Sequence, residues 1–520
     1  VPSTVSKSSA ASLSQIPSST PDEVQSTSIA YRRMGLDWPL VDMLCGGTRR
    51  LREEAATGGS IGQAWLPRFE AEDVNDYRAR VNRSYLFGAY RDTVERIAQR
   101  PFQREVVVKG EEELDDMLAE IITNADYNGR RLTTFARRVM LEGVKYGLAH
   151  IFVDMPAADG LNRAQERVEG VRPYLSLVSP KDLIGWTSEK TISGEHRLTS
   201  IRTRFTTTES VGSFGERSVD KIRYWTAPRA APASDPMQWW ANRHHLSRFL
   251  RGVISFDEFT AFGVPVPVPT PDGEVLVAPD PGIPGSWMLF RKSEEDEGFV
   301  PETEARAHTY PGIPLITYYT NQTGFLEGSP PLIDLAWMNL AHAQSDSDYR
   351  EQLRVAGVAM PYAIGITEEE QKKTFRVSSK QAFTSTNPEA EIGFAEVEGK
   401  SLGLRTKDLE DLEERMEVLG NLPFVRRRAA GATATGQAID EGKVRSQVQT
   451  WATSLEGVLK ACFVAGAAWL NRRGVAPAPG AVTLPDEFGV SLFKDFEIVL
   501  SGSGDTGDIV RMFEKKVITR

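Results

Sequence analysis

Residues 330–357 read PPLIDLAWMNLAHAQSDSDYREQLRVAG, and residues 402–419 read LGLRTKDLEDLEERMEVL. Pro330 and Pro331 stand where proline is tolerated, at the start of a helix. Behind them Leu332, Leu335, Leu340, Tyr349 and Leu353 form an apolar stripe, while Asp334, Asp346, Asp348 and Glu351 fall on other faces. Alanines at 336, 341 and 343 permit close helix approach. The spacing predicts a helix of about 25 residues, roughly 37 Å at 1.5 Å per residue, longer than the globular average. The second stretch predicts another amphipathic helix, with Leu409, Leu412, Met416 and Leu419 in its stripe. Six acidic residues against three basic make its exposed face negative, and Gly420 stops it.

Working outward, residues 358–401 between the two helices predict a compact α/β insert. VAMPYAIGI and IGFAEVEG are strand-like, and TEEEQKKTFRV between them is a short helix. After Gly420 comes NLPFVRRRAAGATAT, an irregular segment with three successive arginines, Arg426, Arg427 and Arg428, and flexible Gly431. A further long helix is predicted over about 436–470, striped by Ile439, Val444, Val448, Trp451, Leu455, Leu459 and Trp469, with Trp451 in the core. Upstream, helices are predicted over 73–100, 112–125 and 132–146, the last feeding a strand that ends at Asp154. Residues 172–225 are rich in β-branched and aromatic side chains and predict an antiparallel sheet. A short helix over 235–250 carries Trp239-Trp240, readable as core or as a rim. The Pro-rich stretch 264–285 predicts an extended excursion with a hairpin at Asp272-Gly273. Short strands are predicted at 311–319 and 488–500. The last residues begin a helix without a capping signal, which predicts a natural product longer than 520 residues. The fold class is α+β.

A chain of 520 residues with 40% hydrophobic side chains can bury a large core and predicts more than one domain. Its net charge of −10 disfavours tight, non-specific wrapping of nucleic acid, which uses Lys and Arg to neutralise phosphates. It is compatible with surrounding a polyanion that must slide. Cys45 and Cys462 are the only cysteines, which predicts buried thiols in a reducing compartment. No run approaches eighteen consecutive apolar residues, so no membrane span is expected. Residues 1–28 lack the apolar centre of a secretion signal and read as a Ser/Thr/Pro-rich arm. Catalytic signatures are missing: there is no GxSxG, no GxxxxGK[ST] and no HExxH. Six histidines are scattered at 150, 196, 244, 245, 308 and 342 without a Cys/His cluster, so neither catalysis, a metal nor another cofactor is expected. Glu368-Glu369-Glu370 reads as a solvated first helical turn.

The order of helix, insert, helix, irregular loop and long helix resembles the portal proteins of tailed bacteriophages, in their uncharacterised-domain branch. The resemblance rests on GLAHIFVDMP (147–156), on Arg172-Pro173-Tyr174 with Trp186, and on GIPLITYYTN (312–321). PPLIDLAWMNLAHAQSDSDYREQL (330–353) and ATATGQAI (432–439) complete it. Ala149 and His150 depart from the usual pattern, and the N-terminal arm has no counterpart.

The resemblance implies a portal-protein fold with an α/β wing, a two-helix stem, a small α/β clip and a long wing helix. Residues 1–28 would be a flexible arm, 29–328 the wing, 329–357 the first stem helix and 358–401 the clip. Residues 402–419 would be the second stem helix, 420–434 the channel loop, 435–475 the long wing helix, and 476–520 the wing end and start of the crown. It further implies a dodecameric ring at one capsid vertex, assembled in the host cytoplasm. The ring would pass double-stranded DNA without sequence preference and contact the terminase large subunit, the major capsid protein, and head-completion, adaptor and tail proteins, with no membrane and no enzymatic activity. Another ring component of the phage neck or baseplate is the alternative. On this reading Asp334, Asp346, Glu410, Asp411, Glu414 and Glu417 would face the channel, where like charge keeps DNA from adhering. Arg426, Arg427 and Arg428 would touch phosphates. The acidic faces can equally pair with basic residues of an adjacent subunit, and the arginines can simply be solvated.

Overall fold

A computed structural model of the chain describes residues 21–57, 64–156, 163–190, 194–228, 267–269, 275–277, 285–293, 298–308, 310–357, 360–366, 385, 387–395, 400–420, 434–471 and 482–494. The helix expected over 235–250 with Trp239-Trp240, the helical part of the 358–401 insert, Arg426–Arg428 and the terminal helix lie outside these residues.

The helices in chain order are α1 (Pro21–Gln25), α2 (Ile29–Met34), α3 (Trp38–Thr57, bent at Gly47), α4 (Val74–Arg83), α5 (Ala89–Gln99), α6 (Asp116–Thr123), α7 (Leu132–Tyr146), α8 (Arg163–Val168), α9 (Ile333–Ala356), α10 (Lys400–Gly420) and α11 (Ala434–Leu470). The longer strands are β2 (Leu148–Asp154), β3 (Tyr174–Val178), β4 (Leu183–Lys190), β5 (His196–Val211), β6 (Gly215–Thr226), β9 (Gly285–Lys292) and β12 (Leu315–Tyr319). Short ones are β1 (Val107–Lys109), β7 (Pro267–Pro269), β8 (Val275–Val277), β10 (Phe299–Pro301), β11 (Arg306–His308), β13 (Gln322–Gly324), β14 (Glu327–Gly328), β15 (Met360–Ile364), β16 (Glu391–Ala395) and β17 (Gly489–Ser491). The result is a mixed α/β fold of several helices and small antiparallel sheets.

The core is built around β2. LAHIFV is buried along its whole length, as expected of a strand covered on both faces. It is the middle strand of a three-stranded sheet, β12-β2-β3. α7 leads into it, and α11 clamps it from the far end of the sequence. Trp469 Nε1 donates to the Val153 carbonyl at 2.8 Å, Trp451 Nε1 donates to the Thr320 carbonyl at 2.8 Å, and the Tyr318 hydroxyl donates to the Trp451 carbonyl at 3.2 Å. A second sheet runs β10-β9-β6-β5-β4, with β11 also on β9. It meets the first through Trp225, whose ring packs edge-on against Phe152 at 5.1 Å and Trp469 at 6.4 Å.

α7 and the hairpin flanking 272–273 (β7 with β8) match the sequence expectation. Other expectations need correcting. The helix expected over 73–100 breaks at Ser84. The Ser84 hydroxyl donates back to the Arg80 carbonyl, Arg52 takes the Ser84 carbonyl, and Leu86 turns inward. The helix expected over 112–125 begins only at Asp116, after a 3-10 turn at Glu111–Glu113, because Asp115 accepts from Met117 N and caps it there. β3 pairs with β2 rather than joining the sheet of β4–β6. Of the strand expected over 488–500, β17 forms within the described residues and pairs with β1, and residues 495–500 lie outside them. Residues 21–28 of the expected arm are seated on the second sheet. Val24 is buried with Ile184, Ile222, Phe290 and Phe299, and Arg202 donates to the Glu23 and Val24 carbonyls.

His150 sits inside β2, its Nδ1 2.9 Å from the Thr317 hydroxyl. Burial pushes its pKa from 6.5 down to about 3, so the ring is neutral in the fold and gains a proton only on unfolding. Its contribution is therefore complete above about pH 6.5 and is lost as the pH falls towards the native value. His150→Gln is expected to flatten the acid limb of urea-unfolding stability by about one proton, close to 1.4 kcal/mol per pH unit. His308 is shifted the same way, chiefly by burial, and acts on the same limb.

Candidate functional site

α9 and α10 form an antiparallel pair carrying the six acidic residues expected to face a channel. Four contacts set their register: His342 Nε2 lies 3.5 Å from Glu413, Ser345 donates to Asp408 at 3.3 Å, Arg405 lies 3.8 Å from Asp348, and Thr406 donates to the Tyr349 hydroxyl at 3.2 Å. α10 has little other support. Met416 and Gly420 are its only fully buried residues among the described side chains.

α9 is held differently from what its leucine spacing predicts. Leu335 and Leu340 are buried, but Leu353 is exposed and Tyr349 half-buried. The rest of its inward face is polar or small: Ala336, Asn339, His342, Ala343, Asp346 and Ser347. Two of these side chains, Asn339 and Ser347, find partners on the helices beneath. Asn339 accepts from Tyr90 N at 3.0 Å and donates to the Phe87 carbonyl at 2.8 Å. Ser347 bonds Ser84 at 2.9 Å and receives Arg80 at 3.2 Å, and Arg83 reaches Glu351 at 2.7 Å. A seat of hydrogen bonds fixes the rotation of α9 more strictly than an apolar stripe would, because a slipped register strands buried polar groups.

The central member of that seat is Arg80, only 2% exposed. It grips Glu72 with two hydrogen bonds of 2.8 and 2.9 Å, donates to the Pro67 carbonyl at 2.6 Å, and lies over the Phe69 ring at 4.5 Å. Little in its sequence surroundings marks it. Its i+4 neighbour Ser84 and i−3 neighbour Tyr77, both buried, are the only local signal that it lies on an inward face.

The proposed channel acids divide. Asp334, Glu410, Asp411 and Glu414 are exposed and Glu417 is half-buried. Glu410 and Glu417 already hold interactions within the chain. Asp346 is a correction: it is buried and held by Arg350 Nε at 2.7 Å, one turn on, so it faces the protein and not solvent. Asp411 and Glu414 flank a shallow groove with Met338, Arg415, Val418 and Leu419. Apolar residues are exposed on the same helices, Trp337 at 52% and Val418 at 69%, which the charge pattern did not foretell. Arg426, Arg427 and Arg428 lie between α10 and α11, outside the described residues.

Among the described residues no group of three His, Cys, Asp or Glu could hold a metal ion. Residues Ser446–Leu470 of α11 are long and apolar enough to cross a membrane. Here Trp451, Leu455, Leu459 and Phe463 are buried in the core and both tryptophans hydrogen-bond to the sheet region, which is the behaviour of a core helix.

Fold and site together define a mixed α/β chain that presents an antiparallel, partly acidic helix pair on a polar seat. Residues 331–470 match a family model described as a domain of unknown function, DUF4055. The match runs from just before α9 to the end of α11. The chain is similar to a chain of the neck of an empty gene transfer agent particle (C6 symmetry) at 10% identity, covering 84% of this chain and 87% of that one, with a TM-score of 0.35. It is also similar to a chain of the virion of a native gene transfer agent particle at 9% identity, covering 90% and 96%, with a TM-score of 0.34. At these scores the likenesses settle neither fold nor function. No curated protein matches.

Proposed function

We propose that this chain is a portal subunit: one of twelve copies in a ring at a capsid vertex, without catalytic activity. The ring passes double-stranded DNA and offers docking surfaces to the terminase large subunit, the capsid, and the adaptor and tail proteins. The observation that carries the reading is the α9–α10 pair. α10 packs chiefly against α9 while Asp334, Asp411 and Glu414 stay in solvent, which suits rods that line a hole once neighbours stand beside them. Exposed carboxylates repel a passing polyanion. Trp337 and Val418 on the same rods suit contact with an adjacent subunit. α9 and α10 would be the stem, the β15–β16 hairpin part of the clip, and α11, about 55 Å long by helical rise, the wing helix that anchors the loop bearing Arg426–Arg428.

Native mass spectrometry and end-on electron microscopy test this. Closed rings with a central hole are expected, and a chain that stays monomeric at high concentration would overturn it. Replacing Arg426, Arg427 and Arg428 together with alanine should leave ring formation intact and weaken DNA retention. If all three touch phosphates, the slope of log affinity against log salt should shrink by roughly 2.7 per subunit engaged. Unchanged retention and an unchanged slope would remove the DNA contact from that loop.

A further inference from the structure

The β5–β6 hairpin outruns the sheet that carries it. β4 pairs with β5 no further along than Thr203, and β9 pairs with β6 only from Lys221 onwards. From Thr206↔Asp220 to Val211↔Gly215 the two strands have, among the described residues, only each other as sheet partners. Such a ribbon is marginal in water on its own, and it is braced towards its base by Glu209, which reaches back to Arg291 at 3.0 Å and Lys221 at 3.3 Å. The turn at its tip needs Gly212, at φ +65°, but it has no need of an aromatic residue. Yet Phe214 stands there fully exposed, at 101%, with Val211 half-exposed beside it. A lone ring held out on a braced arm has the form of an interface anchor.

A receptacle lies at the opposite end of the same strand. Where β5 begins, Leu198, Tyr310, Ile313 and Phe325 line an open groove of about 560 Å³, and His196 stacks on Phe325 at 4.8 Å. Strand geometry separates the two ends of the 16-residue β5 by roughly 50 Å, so tip and groove of one chain cannot meet. They can meet between two copies. Charge agrees: Glu216 is exposed beside the tip, and Arg197 is exposed at the groove, its guanidinium bonded to the Pro311 carbonyl at 3.2 Å.

We propose that Phe214 of one copy seats in the groove between Leu198 and Phe325 of the next, with Glu216 against Arg197. This rests on the reading that the chain forms rings, and it identifies one of the head-to-tail contacts that reading requires. One surface meeting a different surface is the interface type that closes into rings.

Assembly of the full chain tests it, followed by native mass spectrometry across a concentration series. Phe214→Asp should weaken each contact on the order of tenfold to a hundredfold and leave the circular dichroism spectrum unchanged. Glu216→Arg and Arg197→Glu should each impair assembly, and combining them should restore it. A chain carrying both Phe214→Cys and Ile313→Cys should give a ladder of oxidised multimers that wild type, with only Cys45 and Cys462, does not give. Rings as abundant with Phe214→Asp as with wild type, together with no ladder, would overturn this contact and leave the ring reading standing. A wild-type chain that never assembles would overturn both.

Discussion

Replacing Arg80 with alanine is expected to destabilise the fold by about 3–5 kcal/mol, the range for breaking a buried ion pair from one side. The cost comes less from the lost attraction than from what is left behind. The Glu72 side chain is 8% exposed and would keep its charge with no cation near it, and the Pro67 carbonyl and Ser347 hydroxyl would each lose a donor. Arg80 hydrogen bonding now holds the Glu72 carboxyl below its ordinary value of 4.5. A depressed carboxylate contributes stability that is present above that ordinary value of 4.5 and is lost as the pH falls through the native value. Wild type should therefore show an acid-sensitive component below that pH which the variant lacks. Asp348, 3.8 Å from Arg80, shifts the opposite way, because burial outweighs the attraction, and it partly offsets this component. Urea unfolding at neutral and acid pH measures both effects. Arg80→Met combined with Glu72→Leu removes the charges together and should cost much less than Arg80→Ala alone. An equal loss in both would mean that packing volume, and not the pair, sets the stability here. Ring assembly should suffer before global unfolding does, since Arg80 also contacts Ser347 at the middle of α9.

What could be read from the sequence follows the range of the interactions involved. α7 was legible to the residue because its signals are local: helical spacing from Leu132, then Gly147 in the left-handed conformation at its end. The succession α9, β15, β16, α10, α11 was legible for the same reason, since each element carries its own periodicity. β3 was misplaced because nothing within YLSLV says whether its partner lies earlier or later in the chain, and the earlier β2 claims it. Asp346 was misread because polarity was equated with solvent. Its neighbour Ser347 is seated on Ser84 and Arg80, more than 250 positions away, and that packing turns this face of α9 inward. The same separation hid Arg80, which sits between Arg78 and Arg83 and reads as one more solvated charge. Phe214 is not legible from sequence, because an aromatic residue in a β-rich stretch normally marks a sheet face. Only the pairing register shows that it belongs to the turn.

Gly147→Ala should be the most damaging single-methyl substitution at the core strand. Gly147 joins α7 to β2 with φ +88°, a conformation that costs an L-residue roughly 1–2 kcal/mol. The added Cβ would also lie 2.2 Å from the Ser329 carbonyl oxygen, which is backbone and cannot swing aside. Moving the chain instead is opposed from two directions. Gly147 N donates to the Gly143 carbonyl at 2.8 Å, and the Gly147 carbonyl accepts from both Thr320 N and Asn321 N at 3.0 Å. Any shift therefore disturbs the end of α7 and the exit of β12 together, and Thr320 carries the carbonyl that anchors Trp451 of α11. With overpacking adding about 1–3 kcal/mol, a total of about 2–5 kcal/mol is expected. That is a large share of the 5–15 kcal/mol typical of a folded domain. Gly129→Ala provides the control, because Gly129 has φ +76° but nothing within 4 Å of the added carbon, so it pays the conformational term alone. The difference between the two variants in unfolding free energy isolates the close approach of Ser329. If they prove equally destabilised, the contact between Gly147 and Ser329 is not what limits this junction, and the coupling from α7 through β12 to α11 falls with it.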